Sequence, residues 1–257
     1  MIERISIRAA ILTLALACFA VQPARAAEDA PAVSKIDPAQ RQVIEEVVRD
    51  YILKNPEIVI EALEAMRERD RIAKETRARD AIASFRTELF DNPGSPNLGN
   101  PDGRTVVVEF FDYRCGYCRR MVEPVMDLIE SDGEIRLVLK EFPILGPESV
   151  FAARASLAAR KQDLYQPFHL AMMTAEVGLG EETILALAES VGLDTEKLQA
   201  DMADPAIDAE LATNFKLADA LAIEGTPGFV IGDDIIRGAI PMAKFRSYIE
   251  KTRDGAS

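Results

Sequence analysis

The stretch TVVVEFFDYRCGYCRRM, residues 105–121, decides how this chain folds. From Thr105 to Phe111 nearly every residue is apolar, β-branched or aromatic, and Glu109 alone is charged. Such a run predicts a buried central strand. Helical periodicity takes over from about Cys115 to Glu130. A strand running directly into a helix puts Cys115 at the helix N-terminus, where unpaired amide N–H groups and the helix dipole favour a thiolate. Cysteines so placed ionise between about pH 3.5 and 7.5 instead of near 8.5. Cys115 is therefore the candidate nucleophile. Cys118, one turn into the helix and less accessible, is the candidate resolving thiol.

Where the chain resides decides what such a pair is for. Residues 1–26 read as a signal peptide, with Arg4 and Arg8 before an apolar stretch from Ala9 to Val21 and an Ala24-Arg25-Ala26 cleavage site. The alternative is an uncleaved anchor, which the short apolar stretch disfavours. Cleavage removes Cys18 and leaves two of the three cysteines. Plain cleavage is also favoured over lipid attachment at Cys18, because Ala15 stands where that motif prefers Leu. The expected location is the periplasm, an oxidising compartment. The net charge is −13, and residues 1–26 carry three Arg and one Glu, so cleavage makes it more negative. Nucleic acid and anionic lipid are disfavoured as partners.

Cys115 and Cys118 close almost no loop, so a bridge between them adds little stability. Structural zinc wants four ligands, and a single pair with one histidine, His169, does not supply them. His169 is expected to be packed or at the surface, and no metal site is assigned. Cu(I), which accepts fewer and softer ligands, stays open as an alternative use of the same thiols.

Residues 27–36 read as a leader. Asp37 then caps a helix opened by Pro38, with Gln40 placed to complete a capping box. Val43, Ile44, Val47, Val48, Tyr51 and Ile52 form an apolar stripe, and Asn55-Pro56 starts a second helix continuing through Val59, Leu63 and Met66. RERDRIAKETRARD, residues 67–80, reads as a solvated helix, or else as a rod between two modules. Residues 27–90 form an arm too small to bury its own stripe, so a homodimer or homotrimer through residues 37–90 is expected. Residues 91–257 form the main domain, with strands at 105–111 and 135–142, a helical block from Pro147 to about Ile223, a hairpin at 229–238 and a last helix at 241–251.

CGYC after VVVEFF, the helical block, and Thr226-Pro227 before the hairpin together resemble the thioredoxin superfamily. The closest likeness is to DsbA-like periplasmic disulfide oxidoreductases of the ScsC (suppressor of copper sensitivity) type. The resemblance implies an α/β thioredoxin fold with an inserted helical domain at 147–221, preceded by an N-terminal helical oligomerisation arm. It implies a redox-active Cys115–Cys118 disulfide as the reaction centre, with no separate cofactor. Gly116, Tyr117, Thr226 and Pro227 are expected to meet the substrate, with Thr226-Pro227 a cis bond whose backbone takes up client peptide like an added strand. An ordinary trans turn is the alternative there. Glu109 matches a buried carboxylate beneath the second cysteine that relays its proton, with Lys140 a candidate partner; exposure at a sheet edge is the alternative. CGYC, Thr before Pro and the arm are similar to isomerases kept reduced by a membrane donor of the DsbD/ScsB type, acting on misfolded or unfolded disulfide-containing clients. A DsbA-like dithiol oxidase, Cu(I) binding by the cysteine pair, and a holdase using the apolar arm are the rival readings.

Overall fold

The computed structural model describes residues 37–255. The expected signal peptide, Cys18 and the leader lie outside the described residues. Packing divides the chain between Ala62 and Leu63.

In the first unit, helix α1 spans Pro38–Lys54, and α2 (Glu57–Ser84) begins. The Asp37 carboxylate accepts the N–H groups of Ala39 and Gln40 at 2.8 and 3.1 Å, a cap worth about 1 kcal/mol. Gln40 contributes its main chain only, so the box does not close. Asn55 stops the helix by returning its side-chain amide to Tyr51 O at 2.9 Å. No residue of α1 is buried, and Val43, Val47, Tyr51 and Leu53 are each more than half exposed.

The second unit begins within α2. The charged stretch is helical and solvated, with Arg71 bridging Glu68 at 2.6 Å and Glu75 at 2.7 Å. Toward its end and beyond it, Ala78, Ala81 and Ile82 turn inward and are buried, as are Leu89 and Phe90 of the short helix α3 (Arg86–Phe90). The reading of 27–90 as one segment thus meets a packing division near residue 62, because the apolar back of the sheet needs these side chains as its cover.

That sheet has five strands: β1 (Asn97–Gly99), β2 (Thr105–Phe111), β3 (Ile135–Glu141), β4 (Gly228–Ile231) and β5 (Asp234–Arg237). Their order is β1-β3-β2-β4-β5. Only β2 and β3 run parallel, joined through helix α4 (Gly116–Asp132). The TVVVEFF run is the middle strand, which explains why it is apolar at successive positions. Strand β1 was not foreseen; its three residues follow a Pro-Gly turn and are too few to show a period, and pairing with β3 makes them a strand.

The two sheet faces have separate cores. On one, Val107, Phe111, Leu137 and Leu139 meet Met121, Val125 and Leu128 of α4 and the inserted helices. On the other, Val108, Phe110, Val138 and Val230 meet Ile82, Leu89, Phe90 and Leu217. The insertion consists of α5 (Pro147–Ala159), α6 (Tyr165–Thr174), α7 (Glu181–Ser190), α8 (Thr195–Asp201) and α9 (Pro205–Ala220), and α10 (Met242–Gly255) closes the fold. Among the described residues no helix is long and apolar enough to cross a membrane.

Candidate active site

Cys115 is the N-cap residue of α4, in extended conformation, and its side chain caps nothing. The sulfur is therefore left to face the first amides of the helix. It is 7% exposed, whereas Cys118 behind it is fully buried; the two are unbridged. A hydrogen bond from the Cys118 thiol, joined by bonds from Thr226 and from the main chain of Cys118 and Tyr117, overcomes the cost of burial and holds Cys115 down at about 5. Donation to Cys115, burial and the Glu109 charge push Cys118 far up. The pair is asymmetric: one sulfur is a thiolate at neutral pH and the other keeps its proton.

Gly116 and Tyr117 lie between them at the surface. Tyr117 is 60% exposed, with the Arg120 guanidinium 4.4 Å from its ring centre. A side chain at Gly116 would meet nothing closer than Arg120 at 3.7 Å, so folding does not demand glycine there.

Thr226-Pro227 is a cis peptide. Its loop is brought against the cysteines by pairing of β4 with β2, and the Cys115 thiol donates to Thr226 O at 3.2 Å. Gly228, next in sequence, is required by space, since a Cβ would come within 2.6 Å of Ile223.

Glu109 is buried at 5% exposure, in register with Leu139 and Phe229, which excludes the sheet-edge alternative. Burial first, and then the charge on Cys115, raise its carboxyl to about 8. Lys140 is not its partner. It stands beside Phe110, one position out of step, and alternation places it on the other face of the sheet. There its ammonium donates to Glu88 O and Ser95 Oγ, both at 2.6 Å, with burial lowering it to about 8.

Sequence reasoning missed two buried groups. The Asp112 carboxylate accepts Arg114 N–H and Ser149 O–H at 2.8 Å, Ile144 N–H at 2.9 Å and Leu145 N–H at 3.0 Å. Its own carbonyl accepts Cys115 N–H at 3.0 Å, so one residue fastens the approach to CGYC onto the β3–α5 loop. An aspartate straight after an apolar strand was the available signal. The second group is Glu141, whose Oε1 accepts the hydroxyls of Tyr113 and Tyr165 at 3.1 and 3.0 Å. Tyr113 also meets Ser156 at 2.6 Å and His169 Nδ1 at 3.0 Å. Burial raises Glu141 well above the usual carboxylate range and lowers His169 to about 3, so the histidine is neutral at pH 7, and the group joins the insertion to the sheet. His169 is thus a packed histidine, stacked on Tyr165.

A DSBA-like thioredoxin domain model matches residues 106–250. This chain belongs to the DSBA-like thioredoxin family. A second model, the Copper resistance protein ScsC N-terminal domain, matches residues 40–73. Among solved structures, a thioredoxin-like oxidoreductase from Silicibacter pomeroyi is 45% identical, covering 66% of this chain and 98% of its own, at a TM-score of 0.65. A linker-deletion mutant of Proteus mirabilis ScsC is 26% identical, covering 86% of this chain and 98% of its own, at a TM-score of 0.66. The thiol:disulfide interchange protein DsbA of Bordetella parapertussis is 27% identical over 150 residues, 56% of this chain and 71% of that one. Another curated relative, the Na(+)/H(+) antiporter NhaA of Herminiimonas arsenicoxydans, is 29% identical over 172 residues, or 65% of this chain. The chain spans 28% of that relative's length and 21% of two further antiporters of that name. Within the DSBA-like family it has the thioredoxin-like sheet, the helical insertion and, ahead of them, an arm similar to that of ScsC.

Proposed function

We propose that this DSBA-like protein is a periplasmic thiol–disulfide oxidoreductase working as a protein disulfide isomerase or reductase. The observation that carries the reading is Cys115, placed at the N-cap of α4 with its sulfur 3.2 Å from Thr226 O and with Cys118 buried behind it. The Cys115 thiolate attacks one sulfur of a client disulfide, forming a mixed disulfide and releasing the other sulfur as a thiolate. In isomerisation a client thiolate then attacks the mixed bond, regenerating Cys115 with no net change of oxidation state. In reduction the ionised fraction of Glu109, small at pH 7 for a carboxyl held at about 8, takes the Cys118 proton, and Cys118 attacks Cys115. That closes the Cys115–Cys118 disulfide, and the second client sulfur leaves with the electron pair. A membrane donor of the DsbD/ScsB type restores the dithiol. Clients are misfolded or unfolded polypeptides lying beside Thr226 as an added strand, with Gly116, Tyr117 and Pro227 alongside.

The isomerase direction is supported by the arm. Its stripe is unburied within the chain and falls in the ScsC-like residues 40–73, so a homodimer or homotrimer that presents several thiolates to one client is the natural assembly. A second reading, the DsbA-like dithiol oxidase, is favoured by the depressed Cys115, because stabilising the thiolate makes the disulfide more oxidising. Cu(I) binding rests on the two thiols alone, since residues 40–73 contain neither cysteine nor histidine.

The deciding experiment gives the reduced protein a scrambled multi-disulfide substrate and the oxidised protein a reduced one. Reactivation in the first, lost in Cys115→Ala and weakened in Val47→Asp, supports the isomerase. Rapid oxidation in the second without reactivation in the first moves the protein to the oxidase class. A reduced protein that outcompetes a Cu(I) chelator, yet exchanges no disulfide, establishes the copper reading.

A further inference from the structure

A cleft of about 380 Å³ opens beside the cis-proline loop, lined by Arg71 and Lys74 of α2 together with Glu224, Gly225, Thr226 and Arg237. All of these belong to the second unit. Thr226 is common to the cleft and the reaction centre, since its carbonyl is the one 3.2 Å from Cys115 Sγ.

The charges of the cleft are not equivalent. Arg71 is engaged by Glu68 and Glu75, and Lys74 by Glu224. Arg237 is different: Nε donates to Ala222 O at 2.8 Å and Nη2 to Leu221 O at 3.0 Å, both main-chain carbonyls. No carboxylate among the described residues forms an ion pair with it. The next residue, Gly238, donates its N–H to Pro227 O at 2.8 Å, which ties the end of β5 to the cis-proline. Arg237 is therefore hydrogen-bonded to two neutral acceptors, while the Glu224 carboxylate, which its charge helps to lower, is bonded to Lys74 instead. A guanidinium immobilised in advance loses less freedom when it binds a carboxylate.

We propose that this cleft is a client subsite in which Arg237 binds a carboxylate that the client polypeptide carries next to its reactive cysteine. The inference rests on the thiol–disulfide reading and names the substrate class of that same site. A client cysteine bonded to Cys115 lies against Thr226, and an extended chain advances about 3.3 Å per residue. A side chain one or two positions away on one side thus enters the cleft. The Lys74–Glu224 pair across the cleft is exposed on both sides, and such pairs hold weakly, so it yields to an incoming chain. The overall charge of −13 repels acidic clients, so any preference for them has a local source.

The test uses the full-length reduced protein and synthetic peptides with one cysteine activated as a mixed disulfide with a coloured thiol. Glu, Gln or Lys is placed at each of the two positions on either side of that cysteine. Glu is expected to react about threefold to tenfold faster than Gln on one side only, with the ratio falling toward one at high salt. Arg237→Gln is expected to bring that ratio to one, and Arg237→Lys to leave an intermediate value. Each ratio is taken within one protein, so an overall loss of fold or thiolate reactivity cancels. Equal rates for Glu and Gln in the wild type, an equal gain on both sides, or a ratio that survives Arg237→Gln overturns the proposal while leaving the oxidoreductase reading intact. Failure of every peptide to react at Cys115 overturns that reading itself.

Discussion

Cys115 Sγ and Thr226 O are 3.2 Å apart although 111 residues separate them in the chain. Pairing of β4 with β2 makes the contact, and it brings the nucleophilic sulfur against the cis-proline loop. The functional predictions turn on that meeting.

Removing either cysteine separates the two chemical roles. Cys115→Ala abolishes exchange with any disulfide. Cys118→Ser keeps the first attack and loses the resolving one, so mixed disulfides with clients accumulate. Non-reducing electrophoresis followed by mass spectrometry reads this directly. A Cys118→Ser protein that traps no client removes the two-thiol mechanism.

The ultraviolet thiolate absorbance of the reduced protein should titrate at about 5 and vanish in Cys115→Ala. The folded thiol is depressed from the ordinary cysteine value, so its contribution to the stability of the reduced form is complete above the unfolded value. That contribution is lost as pH falls through the folded value. Chemical denaturation of reduced and oxidised protein in parallel should show the reduced form gaining on the oxidised one between about pH 5 and 8. A constant difference argues against a stabilised thiolate.

Glu109 makes the opposite prediction. Its carboxyl is raised from 4.5 to about 8, so its contribution to stability declines as pH rises across that interval, because the unfolded state ionises first. Glu109→Gln removes the decline and should gain on the wild type toward alkaline pH. The same variant should resolve mixed disulfides at least about tenfold more slowly, since Cys118 loses its proton acceptor. Unchanged resolution kinetics would remove Glu109 from the proton path.

Where the arm can be cut follows from packing. Removing residues up to Ala62 should leave a folded monomer that still reacts at Cys115 and performs poorly as an isomerase. Removing residues up to Phe90 also strips Ile82, Leu89 and Phe90 from the second core, together with the Glu88 carbonyl that receives Lys140. That loss amounts to about 5 kcal/mol, comparable with the whole stability of many domains. Thermal melts of the two truncations distinguish a division near residue 62 from one near residue 90.

Much was legible because local pattern carried it. TVVVEFF could only be a buried strand, the CGYC pair could only sit where that strand meets a helix, and Asp37-Pro38 announces its own helix start. Length and apolarity cannot tell which face of a sheet a side chain occupies relative to a neighbouring strand. Lys140 therefore looked like a companion for Glu109 until the register set it beside Phe110. A two-way alternation magnifies a shift of one residue into a change of core.

By itself the sequence determined the thiol pair at a helix start, the central strand, the helical block and the unburied stripe of the arm. Each rests on contacts between residues close in the chain. Only the tertiary structure decided that Thr226 meets Cys115, that Asp112 clamps the loop before it, that Glu141 and His169 are buried partners of Tyr113, and that Arg237 is held by two main-chain carbonyls in the adjoining cleft. These depend on strand register and on how deeply a polar group is buried. Both are properties of the packed whole, because the desolvation that sets a buried group's charge comes from side chains tens of residues away.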